Sequence, residues 1–243
     1  MAVLAVAGMA FEARIAARAG ARVICRGNEE TLAGAIARAI GKDCRGLISF
    51  GVAGGLAPHL RAGTCIVGST IFGGATPFTT DHHWSRSLLQ TIPGAVHGDI
   101  VGVPAPVAHP EEKRDLHEST GAMAVDMESH VVASVAAARG LPVAAIRVIT
   151  DSAARGLPQS ALAAMRANGT IDIAAMIRSI VKAPGELPML FRTARDALVG
   201  SFALLRSRQL LDASFGLPGY HVAPLPALDS HAAEARATNL SLS

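Results

Sequence analysis

The chain of 243 residues has room for one α/β domain of ordinary size with an appendage, or for two small domains. Half of it is hydrophobic but only 4% is aromatic, so the core has to be built from Ala, Val, Leu and Ile. Lys and Arg exceed Asp and Glu by 22 to 19, a net charge of +3; with no RNP-like or zinc-finger pattern, this excludes nucleic acid as the expected partner.

Val3 to Ala7 is a continuous apolar run of strand length, as expected for a strand covered on both faces. No positive charge precedes it and Gly8 breaks it early, so it reads as a first buried strand rather than a signal-peptide core. Phe11 to Ala19 is expected to be helical and Ala21 to Cys25 to be a second strand. From Thr31 to Ile40, Leu32, Ile36 and Ile40 recur every four residues and line one helical face, which Gly41 ends. Leu47 to Phe50 is the third strand. It runs into Gly51-Val52-Ala53-Gly54-Gly55-Leu56, read as a loop whose glycines permit positive φ and close approach of a ligand to the backbone. Neither a G-x-G-x-x-G fingerprint nor a G-x-x-x-x-G-K-[ST] phosphate loop is present.

Thr64 to Ser69 and Val96 to Val103 read as further strands, separated by a Gly/Thr/His-rich loop from Gly73 to His83. The histidines lack metal-ligand spacing, so no metal is expected. Pro110 opens a helix to Ser119 and Glu111 and Glu112 face its positive dipole end. Met123 to Val125, Ser129 to Arg139 and Val143 to Ile149 then read as strand, helix, strand. Acidic residues, Glu128 and Asp151, follow the carboxyl end of each of these two strands, and in open α/β sheets ligands bind outside those ends. Arg147, in an otherwise apolar strand, needs a partner if buried, and Asp151 is the expected one.

The alternation over residues 1–183 predicts an α/β domain with a mostly parallel or mixed sheet. Composition changes at Ala183-Pro184-Gly185, and residues 184–212 form an amphipathic extension. Leu187, Phe191, Ala194, Leu198, Phe202 and Leu205 make one stripe there, accompanied by Arg192, Arg195, Arg206 and Arg208. The stripe fits packing on the domain or a partner subunit; with its arginines it also fits a membrane surface. Residues 213–243, rich in Ala, Pro and Ser, read as a poorly ordered tail. Cys25, Cys44 and Cys65 lack C-x-x-C spacing and read as buried thiols in a reducing compartment. No apolar run approaches roughly 18 residues, so the chain reads as soluble and cytoplasmic, with peripheral contact at the inner membrane face where the C-terminal helix binds lipid.

The segments VDMES and LPVAAIRVITDSA, with GVAGGL upstream and GMAFEA at the start, resemble the superfamily of purine nucleoside phosphorylases and methylthioadenosine/S-adenosylhomocysteine nucleosidases. The resemblance covers roughly residues 1–183 in the family's order. Within it, GMAFE, APVAHPEEK, VDMESH and the extra C-terminal helix are most similar to the hopanoid-associated phosphorylases, which act on adenosylhopane. It implies a three-layer fold with a central mixed sheet flanked by helices, and cleavage of a C1′–N9 bond through an oxocarbenium-like state. Asp151 would protonate or hydrogen-bond N7 of the purine, and Glu12 would position water. Met127 and Glu128 would hold the ribose, Ala53 and Gly54 would approach the base, Pro106 and Val107 would lie along its edge, and Arg147 would support them from behind. No cofactor is implied, phosphate being the one candidate co-substrate, and a homo-oligomer is expected because sites in this superfamily are often completed by a neighbouring subunit. Phosphorylases of the superfamily cradle phosphate with arginines and glycine amides; here the N-terminal loop offers Glu12, with Arg14 and Arg26 nearby in sequence, so phosphorolysis and hydrolysis both stay open. A soluble nucleoside such as methylthioadenosine is the alternative to a lipid-linked substrate.

Overall fold

The computed structural model describes residues 3–25, 29–74, 76–158, 160, 161, 172, 178, 185 and 187–219. Eight strands form one mixed sheet: β1 (Val3–Ala7), β2 (Arg22–Cys25), β3 (Gly46–Gly55), β4 (Cys65–Phe72), β5 (Phe78–Thr79), β6 (Val96–Gly102), β7 (Ala124–Asp126) and β8 (Val143–Asp151). The order is β2-β1-β3-β7-β6-β4-β5, and β8 pairs with both β3 and β4. Strands β3, β7, β6, β4 and β8 therefore close a circuit, with β1 and β2 extending it beside β3 and β5 beside β4. Pairing is parallel for β1 with β2 and β3, for β3 with β8, and for β6 with β4 and β7; β7 with β3, β5 with β4 and β8 with β4 are antiparallel.

Helices cover the sheet on two sides. Leu32 and Ile36 of α2 (Glu29–Ala39) and Val131, Val132 and Ala136 of α5 (Ser129–Ala138) pack with Leu4, Leu47, Ala145 and Ile149. On the other side, Ala16 of α1 (Ala10–Ala16), Trp84 and Leu88 of α3 (His82–Thr91), and Leu204 of α6 (Leu187–Gln209) pack with Val3, Ile48, Phe50 and Ile146. The expected α/β architecture with a central mixed sheet and a C-terminal helix is what the chain forms. Helix α4 (Pro110–Thr120) starts with proline, carries Glu111 and Glu112 in its first turn, and ends at Gly121 with φ 71°, whose N–H donates to the His117 carbonyl at 2.8 Å.

Four local expectations change. The glycine-rich segment 51–55 is the end of β3 rather than a loop, and none of its glycines has positive φ. The segment read as a loop to His83 contains β5 and the first turn of α3, where the Asp81 carboxylate accepts the Trp84 N–H at 2.8 Å. Cys25 is exposed, whereas Cys44 and Cys65 are buried. Residues 213–219, placed in a poorly ordered tail, close the core instead. Phe215 is fully buried with its ring 5.5 Å from Phe50, and its carbonyl accepts the Trp84 indole N–H at 2.8 Å. The domain boundary at 183/184 and the rest of the tail, 220–243, lie outside the described residues.

Candidate active site

Strand β3 sets the scale of the site. Glu12 enters from α1, where it is buried to 2% exposure and its carboxylate accepts two backbone N–H groups: Met9 at 2.7 Å and Val52 at 2.7 Å. The first bond caps the start of α1; the second fixes the carboxylate against β3. A Cβ on Gly51 would stand 2.6 Å from both Glu12 Oε1 and Arg147 Nη1, so the missing side chain makes room for these two groups. Three residues along β3, Gly54 lies opposite Asp151 in the β3–β8 register, and its Cβ position is 3.2 Å from Asp151 Oδ2. Three residues of strand span about 10 Å of backbone, and the β3–β8 pairing shifts register between Ala53 and Gly54. The glycines thus serve nearby side chains, a use of glycine that composition does not distinguish from a flexible turn.

Glu128 follows β7 at the start of α5 and is 6% exposed. Its carboxylate lies over Gly8, where a Cβ would be 2.6–2.8 Å from its carboxyl atoms; only glycine fits there. Glu128 and Glu12 thus face the same end of β1 and β3. Burial first, and then the Glu128 charge, push the Glu12 carboxyl up from 4.5 to about 7, against the pull of Arg147 and of the Val52 and Met9 N–H groups. A carboxylate at that value is half ionised near neutral pH, where a general base works best.

Arg147 is fully buried, as its place in an apolar strand predicts, but its partner is not Asp151. Its Nε is ion-paired with Asp126 Oδ2, and Nη2 donates to Ser49 Oγ at 2.6 Å and lies 3.6 Å from Glu128 Oε2. Ser129 Oγ also donates to Asp126, and Nη1 reaches the Val52 carbonyl at 3.4 Å. The guanidinium therefore holds Asp126 and Glu128 from beneath. It supports these two carboxylates from the buried side.

Asp151 pairs instead with Lys113, a fully buried lysine in the first turn of α4. The ammonium donates to Asp151 Oδ2, to the Ser152 carbonyl at 3.1 Å and to the Arg155 carbonyl at 3.0 Å. All three N–H groups are used, so the charge is satisfied and the turn after β8 is tied to α4. Thr150 Oγ1 donates to Asp151 Oδ1 at 3.2 Å. Lys113 and Asp126, which pair with Asp151 and Arg147, are the two charged residues to which the sequence reading gave no part. Lys113, Leu116, His117 and Thr120 do share one helical face, all at least partly buried, but a single apolar residue makes that stripe faint.

Met127 is half-buried between Asp126 and Glu128, and Val107 is half-buried against the cluster of Leu56, Val101, Ala122 and Val125. The Ala53 carbonyl takes the Thr150 hydroxyl at 3.4 Å, and Gly54 stands beside Asp151. Arg14 is exposed, its Nε 3.4 Å from the Ala10 carbonyl, while Arg26 lies outside the described residues. No group of three or more His, Cys, Asp or Glu side chains suited to a metal occurs among the described residues.

Solved structures similar to this chain share its fold. The methylthioadenosine/S-adenosylhomocysteine nucleosidase of Campylobacter jejuni matches with a TM-score of 0.58 at 15% identity, covering 87% of this chain and 100% of its own. The nucleosidase of Neisseria meningitidis, in complex with methylthio-immucillin-A, gives 0.57 at 18%, covering 85% and 98%. The futalosine hydrolase of Helicobacter pylori gives 0.58 at 16%, covering 86% and 97%. Among curated proteins none matches the chain. The sequence profile of the phosphorylase superfamily matches residues 1–182, three quarters of the chain and every residue of the site. The chain belongs to the phosphorylase superfamily and is an enzyme of that family.

Proposed function

We propose that the chain hydrolyses the N-glycosidic bond of an adenine nucleoside, with Glu12 as the base that activates water and Asp151 as the group that carries a proton to N7. The observation that carries this reading is Glu12: a buried carboxyl raised to about 7 and held against β3, the strand that also pairs with Asp151. Water attacks C1′ and gives its proton to Glu12. The electron pair of the C1′–N9 bond goes to the base, which takes a proton at N7 from Asp151. The proton that Asp151 delivers comes from the Lys113 ammonium hydrogen-bonded to it. After turnover Glu12 releases the proton it took from water to solvent, and solvent reprotonates Lys113 through Asp151, so atoms and charge balance. Glu128 accepts from the 2′- and 3′-hydroxyls, and Met127 lies along the sugar. Ala53, Gly54 and Val107 border the base.

A carboxyl in place of an arginine at the nucleophile's end disfavours phosphate, which would bring negative charge onto Glu12 and Glu128. Arg147, the cation nearest them, is already committed to Asp126 and Glu128. Neither a metal nor a cofactor enters this reading, and a homo-oligomer is part of it. The deciding assay is product analysis with and without inorganic phosphate: free ribose-type sugar in both supports hydrolysis, and a sugar 1-phosphate overturns it.

The substrate we propose is a nucleoside with a large apolar 5′-substituent, adenosylhopane by the resemblance of the GMAFE, APVAHPEEK and VDMESH segments. Helix α6 supports it, because it carries exposed apolar residues and is joined to the turn after Asp151 by the Arg155–Asp196 ion pair. Adenine release from adenosylhopane should exceed that from methylthioadenosine; the reverse preference would assign a soluble nucleoside instead.

A further inference from the structure

Helix α6 is seated on the domain through the face that carries Gly200, Leu204, Ser207 and Arg208. Arg208 is an internal pin, donating to the Ala16 carbonyl at 2.9 Å and the Leu211 carbonyl at 2.7 Å with its guanidinium 4.2 Å above the Phe215 ring. The apolar stripe, which fits packing on the domain, on a partner subunit or on a membrane surface, points away from the domain. Phe191 is 73% exposed, Leu198 60% and Phe202 69%. Spaced by seven and four, they lie on one helical face over about 16 Å of axis. Arg195 and Arg206 flank that face and Arg192 lies further round, all three exposed. The one acid in the helix, Asp196, is turned to Arg155. The outward surface of α6 is therefore apolar with arginines and carries no free carboxylate.

We infer that α6 is an interfacial helix that seats this enzyme on an anionic lipid bilayer. Three large apolar side chains would enter the boundary between headgroups and acyl chains while the arginines meet lipid phosphates. Charge argues against a second copy of the chain as the occupant. A two-fold contact through this face would set its arginines against the partner's arginines with no acid between them. No helix among the described residues is long and apolar enough to cross a membrane, so the contact is peripheral. Membrane docking through α6 holds whether or not the substrate carries a lipid, and it places the turn after Asp151 next to the bilayer.

The test is flotation of the full chain with vesicles of phosphatidylcholine alone and of phosphatidylcholine mixed with phosphatidylglycerol. The chain should float with the mixed vesicles and much less with the neutral ones. Phe191→Ser/Leu198→Ser/Phe202→Ser, all at exposed positions, should bind at least about tenfold more weakly with unchanged Tm. Arg192→Gln/Arg195→Gln/Arg206→Gln should lose roughly a hundredfold on the mixed vesicles, about fivefold per arginine. A chain that floats with neither vesicle, or equally well in the serine variant, overturns the assignment. So does a serine variant whose change is a smaller mass in solution without any vesicle binding by the parent, which would make the face a contact between copies.

Discussion

Replacing Glu12 by Gln tests the base and the electrostatics of its site together. In the folded chain the Glu12 carboxyl is raised from 4.5 to about 7, chiefly by burial and then by the Glu128 charge. Between those two values the folded state holds a proton that the unfolded chain has released, so this group makes stability fall as pH rises through the window. The difference of about 2.5 is worth roughly 3.4 kcal/mol at about 1.36 kcal/mol for each step of one in pKa, and roughly 2.5 kcal/mol of it falls between pH 5 and 8.5. Glutamine removes the titration but has a cost of its own. Both carboxylate oxygens accept backbone N–H groups, and the amide nitrogen of Gln would face either Met9 N–H or Val52 N–H as a second donor. An unmatched buried donor costs about 1–3 kcal/mol and does so at every pH. The variant should therefore be less stable than the parent at pH 5 and should draw level or nearly so at pH 8.5. Urea unfolding at the two pH values measures this as a difference of differences, in which the other titrating groups largely cancel. Turnover at pH 8.5 should fall by about 10²- to 10⁴-fold because the base is gone, and at pH 5, where the parent's own base is mostly protonated, the fall should be about a hundredfold smaller. Parallel stability curves for parent and variant would refute the raised carboxyl. Substantial turnover by a stable variant would refute the base.

Asp151→Asn keeps the shape of the side chain but cannot relay a proton, so adenine release should drop to background while thermal unfolding stays cooperative; full activity would remove Asp151 from its role. Lys113→Met fills the same volume yet strips a donor from Asp151 and from the Ser152 and Arg155 carbonyls, so the chain should lose about 3 kcal/mol in urea unfolding and about a hundredfold in kcat/KM. Lys113→Arg should fail to restore the rate if the three acceptors need a compact ammonium. Arg147→Met leaves Asp126 and Glu128 buried without their cation, and a loss of about 3–5 kcal/mol is expected; a change within about 0.5 kcal/mol would show that the cluster is solvated. Glu128→Gln removes the charge that, after burial, holds the Glu12 carboxyl up, so the acid limb of kcat/KM, expected near pH 7 in the parent, should move to lower pH while KM rises. A limb that stays put would separate Glu12 from the titration seen in the rate.

The strands and their carboxyl-end acids were legible because each signal is local. Val3–Ala7 and Val143–Ile149 are apolar runs of strand length, and Glu128 and Asp151 follow their strands directly. The partners were not legible, because they come from elements that meet only when the sheet closes. Arg147 lies on β8 and Asp126 on β7, strands that are not neighbours; both flank β3, and their side chains converge beneath it. Asp126 also stands two residues before Glu128, so spacing could not say which of the two takes the arginine. Lys113 is flanked by Glu112 and Arg114 in a helix that reads as polar all round, and its burial depends on the turn after β8 folding over α4. The outward stripe of α6 was read correctly as a stripe, but period alone does not say which face a helix buries. Here the choice falls to Gly200, Leu204 and Ser207, whose small or well-fitted side chains let the helix lie against β8.

In the proposed reaction these pairings give the four acids of the site different parts. Asp126 and Glu128 share Arg147, and Asp151 has Lys113. Glu12 is the one acid of the four with no ion pair among the described residues, held instead by two backbone N–H groups. Backbone N–H groups fix a carboxylate in place without supplying a full opposing charge, and burial then has the larger effect on its proton affinity. An arginine or lysine paired with Glu12 would have lowered its proton affinity and made it a poorer proton acceptor at neutral pH; an apolar pocket without the N–H groups would have left it unpositioned. The same reasoning bears on the nucleophile. A site that kept a free cation at this end would attract phosphate, whereas one whose nearest cation is shared by two carboxylates is suited to a neutral molecule, water.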